Sequence, residues 1–253
     1  MGRCIMCLCD DKPLTREHIV PYGLSSKGQM FIKQGTCLEC NGGMNERFEN
    51  PAMQNDFLDA RAVLALKRRK RKNQVPIKTH PVRVLGADGR MHELQLKAAE
   101  HPGDVSWQTL RPAGLLTGED RDKDGTLTEL AVWFANLTPG RTKWREIEFR
   151  TPHIAGATPM LMAKAGYAYA SVKLGLDAFD GTDMRNLLLG NRTDIYNFVG
   201  GLSVKEELDT DSAFHQFYLR KRGELQTVVV HMFASFDAPP WEIVLGKANE
   251  PKA

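Results

Sequence analysis

Beyond residue 40 the chain contains no cysteine at all: Cys4, Cys7, Cys9, Cys37 and Cys40 lie before that point, and the following 213 positions have none. Cysteine chemistry is therefore confined to the first part of the molecule. Long apolar runs are missing too. Nothing approaches the roughly 20 residues that a membrane helix needs. The opening Met1 to Lys12 lacks an apolar stretch followed by a small-residue cleavage site. Neither a membrane partner nor export is expected, and the cytoplasm is the expected compartment. No internal repeat and no long low-complexity segment occurs, which excludes repeat architectures. A strong excess of one charge is also lacking, with 34 Lys and Arg against 31 Asp and Glu.

What is present is ordinary for a soluble globular chain of 253 residues, 42% hydrophobic and 26% charged. That length allows one large domain, or a small one followed by a medium one. The charge is unevenly spread. Residues 1–75 carry 13 basic and 8 acidic side chains, a balance of +5, and the remainder carries 21 and 23, a balance of −2. A polyanion would be steered to the first third.

Four of the cysteines form two CxxC pairs, Cys4-Ile5-Met6-Cys7 and Cys37-Leu38-Glu39-Cys40. Each pair can turn two thiolates toward one ion, and the two together suit a tetrahedral structural zinc site. A disulfide or reduced thiols is the plainer alternative. Cys9 is left over, or replaces Cys7 as a ligand.

Between the pairs, Ile19-Val20 before Pro21 suggests a short strand, and Met30-Phe31-Ile32 a second one. A helix follows Cys40, and helical spacing over 51–72 predicts a longer one. It ends in Lys67, Arg68, Arg69, Lys70, Arg71 and Lys72, six consecutive cations suited either to phosphate contact or to a solvated helix end. Residues 73–81 read as a linker. Beyond it, alternation around Asp88-Gly89 predicts a hairpin. Residues 99–125, rich in Gly, Pro and Asp, read as loop, and 146–150 as a strand. The acids near Asp120 do not make a calcium loop, because position 131 is Ala where a bidentate Glu is required. Ala165, Ala168, Tyr169, Val172, Leu176 and Phe179 share a helical face over 164–179, suited to packing on a sheet. Strands are expected at 213–222, 225–236 and 241–245. The fold class expected is α+β with a largely antiparallel sheet, divided into residues 1–75 and an accessory part, 76–253.

Cys4-x-x-Cys7, then Glu17-His18-Ile19-Val20-Pro21, then Cys37-x-x-Cys40-Asn41 resembles the zinc-bound form of the HNH endonuclease family, within the ββα-metal or His-Me finger superfamily. The resemblance covers residues 4 to about 48, a fifth of the chain, and no family is recognised for the rest. It implies that His18 is the general base. Glu17 and Asn41 would hold one Mg²⁺ or Mn²⁺, while the four cysteines hold zinc. The position before His18, Asp or His in many members, is Glu17 here. A further His is common on the metal-binding helix, and Asn45, a helical turn past Asn41, is a second candidate ligand, with a solvated polar residue as the alternative.

Elementary chemistry agrees with this division. Phosphodiester hydrolysis needs a base for water and a cation for developing charge. An imidazole titrating near 6.5 is a neutral base at pH 7, and Glu and Asn offer hard oxygen donors. Neighbours on a regular strand face opposite ways, so presenting both Glu17 and His18 requires a strand end or a bulge. The expected partner is DNA, held by residues 67–72 and by Arg16, Lys27 and Lys33, with RNA left open. Backbone contacts read no bases, so specificity would come from the accessory part, a protein partner or a homo-oligomer. Phage defence, restriction, mobile-element function and repair all suit such an enzyme. The alternative is a non-catalytic zinc-stabilised module that binds nucleic acid or another protein.

Overall fold

Leu14–His18 (β1) and Phe31–Cys37 (β2) pair antiparallel, and their pairing is irregular in one place. Thr15 stands opposite Thr36, but Glu17 stands opposite Ile32, so Arg16 alone faces residues 33–35. The computed structural model that gives this arrangement describes residues 2–25, 29–64, 66, 81–96, 104–121, 127–134, 147–148, 154–202, 208, 213–236 and 238–250. Ile19 and Val20, expected as strand, lie just past β1 in a bend and are buried. Their apolarity serves the core rather than strand pairing.

A helical run leaves β2 directly. It begins as Leu38–Met44 (α1), widens into a π turn over Asn45–Glu49, and continues as Asn50–Gln54 (α2). Pro51 explains why regular geometry gives way there: inside a continuing helix it has no N–H and crowds the carbonyl four residues back. The long helix expected over 51–72 is broken. The Asn55 side chain donates to the Pro51 carbonyl at 2.7 Å, competing with the helix ladder, and Phe57 turns into the core before Leu58–Val63 (α3). The basic run 67–72 lies outside the described residues, as does Lys27.

Val82–Leu85 (β3) and Met91–Leu94 (β4) form the expected hairpin, with Gly89 at φ +75° in its turn. Its other neighbour is Ile147–Glu148 (β7), within the range expected for a strand. The stretch read as loop, 99–125, instead contains a strand, Asp104–Leu110 (β5), and a short helix, Gly114–Thr117 (α4). The strand pairs with Leu127–Phe134 (β6), which sequence reading missed. Tertiary contacts hold it: Trp107 donates to the Pro239 carbonyl at 2.7 Å, and Trp241 donates to the Gln108 carbonyl at 2.8 Å.

The helix expected at 164–179 is Ala157–Leu174 (α5), shifted toward the N-terminus. Gly175, at φ +89°, ends it, so Leu176 and Phe179 fall beyond the helix. Thr182–Leu189 (α6) and Ile195–Phe198 (α7) lead into Val199–Gly201 (β8). The three expected strands are present as His215–Arg222 (β9), Leu225–Met232 (β10) and Trp241–Lys247 (β11). β10 stops early because Phe233, at φ +55°, turns the chain out of the sheet. The sheet order is β8-β11-β10-β9, with all neighbours antiparallel. The whole is α+β with antiparallel sheets.

Helix α5 is the centre of the molecule. One side lies on the sheet, where Tyr169 stacks on Phe217 with ring centroids 4.9 Å apart. Gly166 lets the helix come close: a Cβ there would lie 3.2 Å from Ile243 and 3.3 Å from Val230. The other side faces the first 60 residues. Tyr167 donates to the Ile5 carbonyl at 2.9 Å, and Thr158 donates to Asp56. One apolar cluster consequently draws on buried residues from Cys4 to Leu245, while Val82, Val84 and Leu96 form a separate small one. No helix of the described residues is long and apolar enough to cross a membrane.

A candidate metal centre beside a polar cleft

The first CxxC pair sits in a tight turn closed by two backbone hydrogen bonds, from the Leu8 N–H to the Cys4 carbonyl and from the Cys4 N–H to the Cys9 carbonyl. Leu8 takes the left-handed conformation, at φ +62°, to make that turn. The second pair spans the junction of β2 and α1, with Cys37 as the extended residue before the helix and Cys40 in its first turn. The four sulfurs of Cys4, Cys7, Cys37 and Cys40 all lie within 4.8 Å of one another, and those of Cys7 and Cys37 are 3.8 Å apart. Four sulfurs at about 2.3 Å from a tetrahedral zinc stand about 3.8 Å from each other. The Cys37 N–H points at the Cys4 sulfur at 3.3 Å, a common support for a thiolate. Burial pushes the Cys37 and Cys40 thiols up; the neighbouring sulfurs add to the rise at Cys40, whereas at Cys37 the hydrogen bonds with Cys40 oppose it. A divalent cation reverses that trend by stabilising the thiolates. The cluster could therefore hold zinc. Cys9 stays outside it, with its sulfur near the Cys7 carbonyl.

The same β-β-α unit forms one wall of a cleft of about 700 Å³. Glu17, His18, Asn41 and Asn45 all line it, together with Glu49, Arg16 and Lys164. Because the pairing slips around Arg16 and β1 ends at His18, the neighbours Glu17 and His18 both reach this cleft. His18 is half-buried, edge-on to Tyr22 at 6.1 Å and tilted against Phe31 at 6.2 Å. The Arg16 guanidinium lies 4.5 Å over the Phe31 ring, which holds a cation at the cleft rim. The Asn41 amide is within 3.3–3.4 Å of three acceptors, the Arg16 carbonyl and the hydroxyls of Thr15 and Thr36. The π turn carries Asn45 and Glu49 onto the same wall. Lys33 is exposed on β2 and does not line the cleft.

Glu17 is 1% exposed, and both its oxygens are engaged. Oε2 accepts from the Thr36 hydroxyl at 2.8 Å, and Oε1 pairs closely with the Lys164 ammonium. Lys164, also 1% exposed, reaches Glu49 Oε1 at 2.9 Å and donates to the His18 carbonyl at 2.9 Å. Burial alone would lower the lysine's proton affinity, but the carboxylates of Glu49 and Glu17 more than reverse this, so it stays charged. Burial raises Glu17 above the ordinary carboxyl range, with Lys164 opposing and Glu49 adding to the rise.

Sequence reading had no role for Lys164 and assigned none to Glu49. A signal for Lys164 did exist: it is the only charged residue between positions 154 and 172, in an Ala-rich apolar helix. A lone cation in such a helix needs an anionic partner if the helix is buried all round. Compared with family models, with curated proteins and with solved structures, the chain finds no match.

Proposed function

We propose that the chain is an HNH-type endonuclease that hydrolyses DNA phosphodiesters, with His18 as general base and a structural zinc on Cys4, Cys7, Cys37 and Cys40. The observation that carries this reading is the convergence of His18, Asn41, Asn45 and two carboxylates in one cleft. That cleft lies on a β-β-α unit whose strand–helix junction also holds the cysteine cluster. A purely structural zinc knuckle needs none of the cleft residues.

Oxygen donors from Asn41, Asn45, Glu17 and Glu49 suit one hard divalent ion such as Mg²⁺ or Mn²⁺, which supplies charge neutralisation at the scissile phosphate. His18 takes a proton from the attacking water, whose oxygen bonds to phosphorus as the 3′ oxygen leaves. The products are 5′-phosphate and 3′-hydroxyl ends. Arg16, held over Phe31 at the rim, is placed to meet a backbone phosphate. Tyr22 and Phe31 lie beside the imidazole, with ring centroids 6.1 and 6.2 Å from it.

Nicking of supercoiled plasmid with Mg²⁺ or Mn²⁺ tests the reading. Wild type should cut, while His18→Ala and a chelated sample should not. Equal cutting by His18→Ala would remove His18 from the mechanism. A second reading, a zinc-stabilised binding module without catalysis, draws on the engagement of both Glu17 oxygens by Lys164 and Thr36. It expects salt-dependent DNA binding, no cutting under any divalent ion, and no effect of His18→Ala.

A further inference from the structure

An ammonium group has three N–H bonds to give. Those of Lys164 have three oxygen partners within reach: Glu17 Oε1, Glu49 Oε1 and the His18 carbonyl. The partners come from the end of β1 and from the π turn, and the lysine itself comes from α5. With its donors taken and its side chain 2% exposed, Lys164 does not itself contact substrate. Its three bonds instead determine where the Glu17 carboxylate lies and how the last residue of β1 is oriented.

We propose that Lys164 is a positioning residue of the cleft: it sets Glu17 and the His18 backbone in place, so that a β-β-α unit from the first 54 residues becomes reactive only when completed by α5. The inference rests on the nuclease reading for its kinetic consequence. The placement of His18 can be checked without it. The same charge also lies beside the oxygen donors of the cleft, so it weakens the hold on a divalent ion while ordering the groups around it.

Full-length wild type, Lys164→Met, Lys164→Arg and Tyr167→Phe, each loaded with zinc, provide the test. Tyr167→Phe is the control, because it removes another α5 hydrogen bond to the first 60 residues, the one to the Ile5 carbonyl, away from the cleft. In Lys164→Met, kcat for plasmid nicking should fall about 100-fold with KM for DNA nearly unchanged, the usual cost of a misplaced reacting group. Mn²⁺, titrated without DNA, should bind about fivefold more tightly once the repelling charge is gone. Tyr167→Phe should alter neither quantity. A wild-type kcat in Lys164→Met, or an unaltered Mn²⁺ affinity, overturns the proposal.

Should Lys164→Met fail to fold, Lys164→Arg decides. Its planar guanidinium cannot converge three N–H bonds from one nitrogen, so a lowered kcat with zinc content and circular dichroism intact supports the proposal, and a wild-type kcat overturns it. If wild type cuts no nucleic acid, the nuclease reading fails by itself. The NMR signals of the His18 imidazole then decide the positioning. They should shift in the folded Lys164 variants and not in Tyr167→Phe, and signals that stay in place refute it.

Discussion

His18 is the last residue of β1, and the groups around it make its position sensitive to small changes. General-base catalysis contributes about 10²–10⁴-fold to a rate. His18→Ala is expected to lose about that much in kcat while plasmid affinity, measured by filter binding, is retained. Gly35 gives a subtler test. It lies opposite Arg16 where the pairing slips, and a Cβ on it would come within 2.6 Å of the Glu17 Cβ and 3.0 Å of the Ile32 Cβ. Neither β carbon can swing away as a side-chain tip would. Gly35→Ala should therefore displace Glu17, lower the melting temperature and slow nicking. Wild-type values on both counts would show that the slip relaxes easily.

At the scale of elements, the junction of β2 and α1 carries half of the cysteine cluster. A segment of about 50 residues has little core of its own, and below about that size metals or disulfides commonly supply the missing stability. Cys37 and Cys40 span the point where strand becomes helix, and the helical run that follows carries Asn41, Asn45 and Glu49. Zinc removal by a chelator selective for zinc, or Cys40→Ser, is expected to lower helical circular dichroism and the melting temperature together. The loss should be restored by zinc and not by Mg²⁺. A chelated protein with an unaltered melting curve would show that the shared core with α5 suffices without the ion.

At the scale of the whole molecule, His215 joins the C-terminal sheet to the first part of the chain. One ring nitrogen donates to the Leu24 carbonyl at 2.9 Å and the other accepts from the Phe233 N–H at 3.2 Å, which requires the neutral ring. Burial pushes its pKa down to about 4, against the Leu24 carbonyl, which favours the charged form. Above pH 6.5 the ring is neutral whether the chain is folded or not, so its full contribution is present. As pH falls from about 6.5 to 4 the unfolded chain gains a proton that the folded one refuses, and up to about 3 kcal/mol is lost. Urea unfolding at pH 7 and pH 4.5 should show a smaller loss for His215→Gln than for wild type. Equal losses would place the acid sensitivity on the carboxylates alone.

The cysteine spacing and the hairpin around Asp88-Gly89 were legible in the sequence because each depends on residues close along the chain. The last three strands announced themselves by local pattern, and the pairs at 4–7 and 37–40 need only a turn apiece to present their sulfurs. The limits of α5 were less legible, since a helix buried nearly all round shows little amphipathic contrast by which to place its ends. Strand β5 was hidden among turn-forming residues because Pro239 and Trp241, more than a hundred positions away, complete its bonding. The cleft followed the same division. Glu17, His18 and Asn41 stood out through the resemblance to the HNH family, which rests on residues close along the chain, and Asn45 through its place one helical turn past Asn41. Lys164 could enter only through the packing of α5 across the N-terminal unit, which brings a cation 146 positions from the His18 carbonyl into contact with it. Local spacing carries no information about which distant charge neutralises a buried carboxylate; desolvation and packing in the folded chain select it.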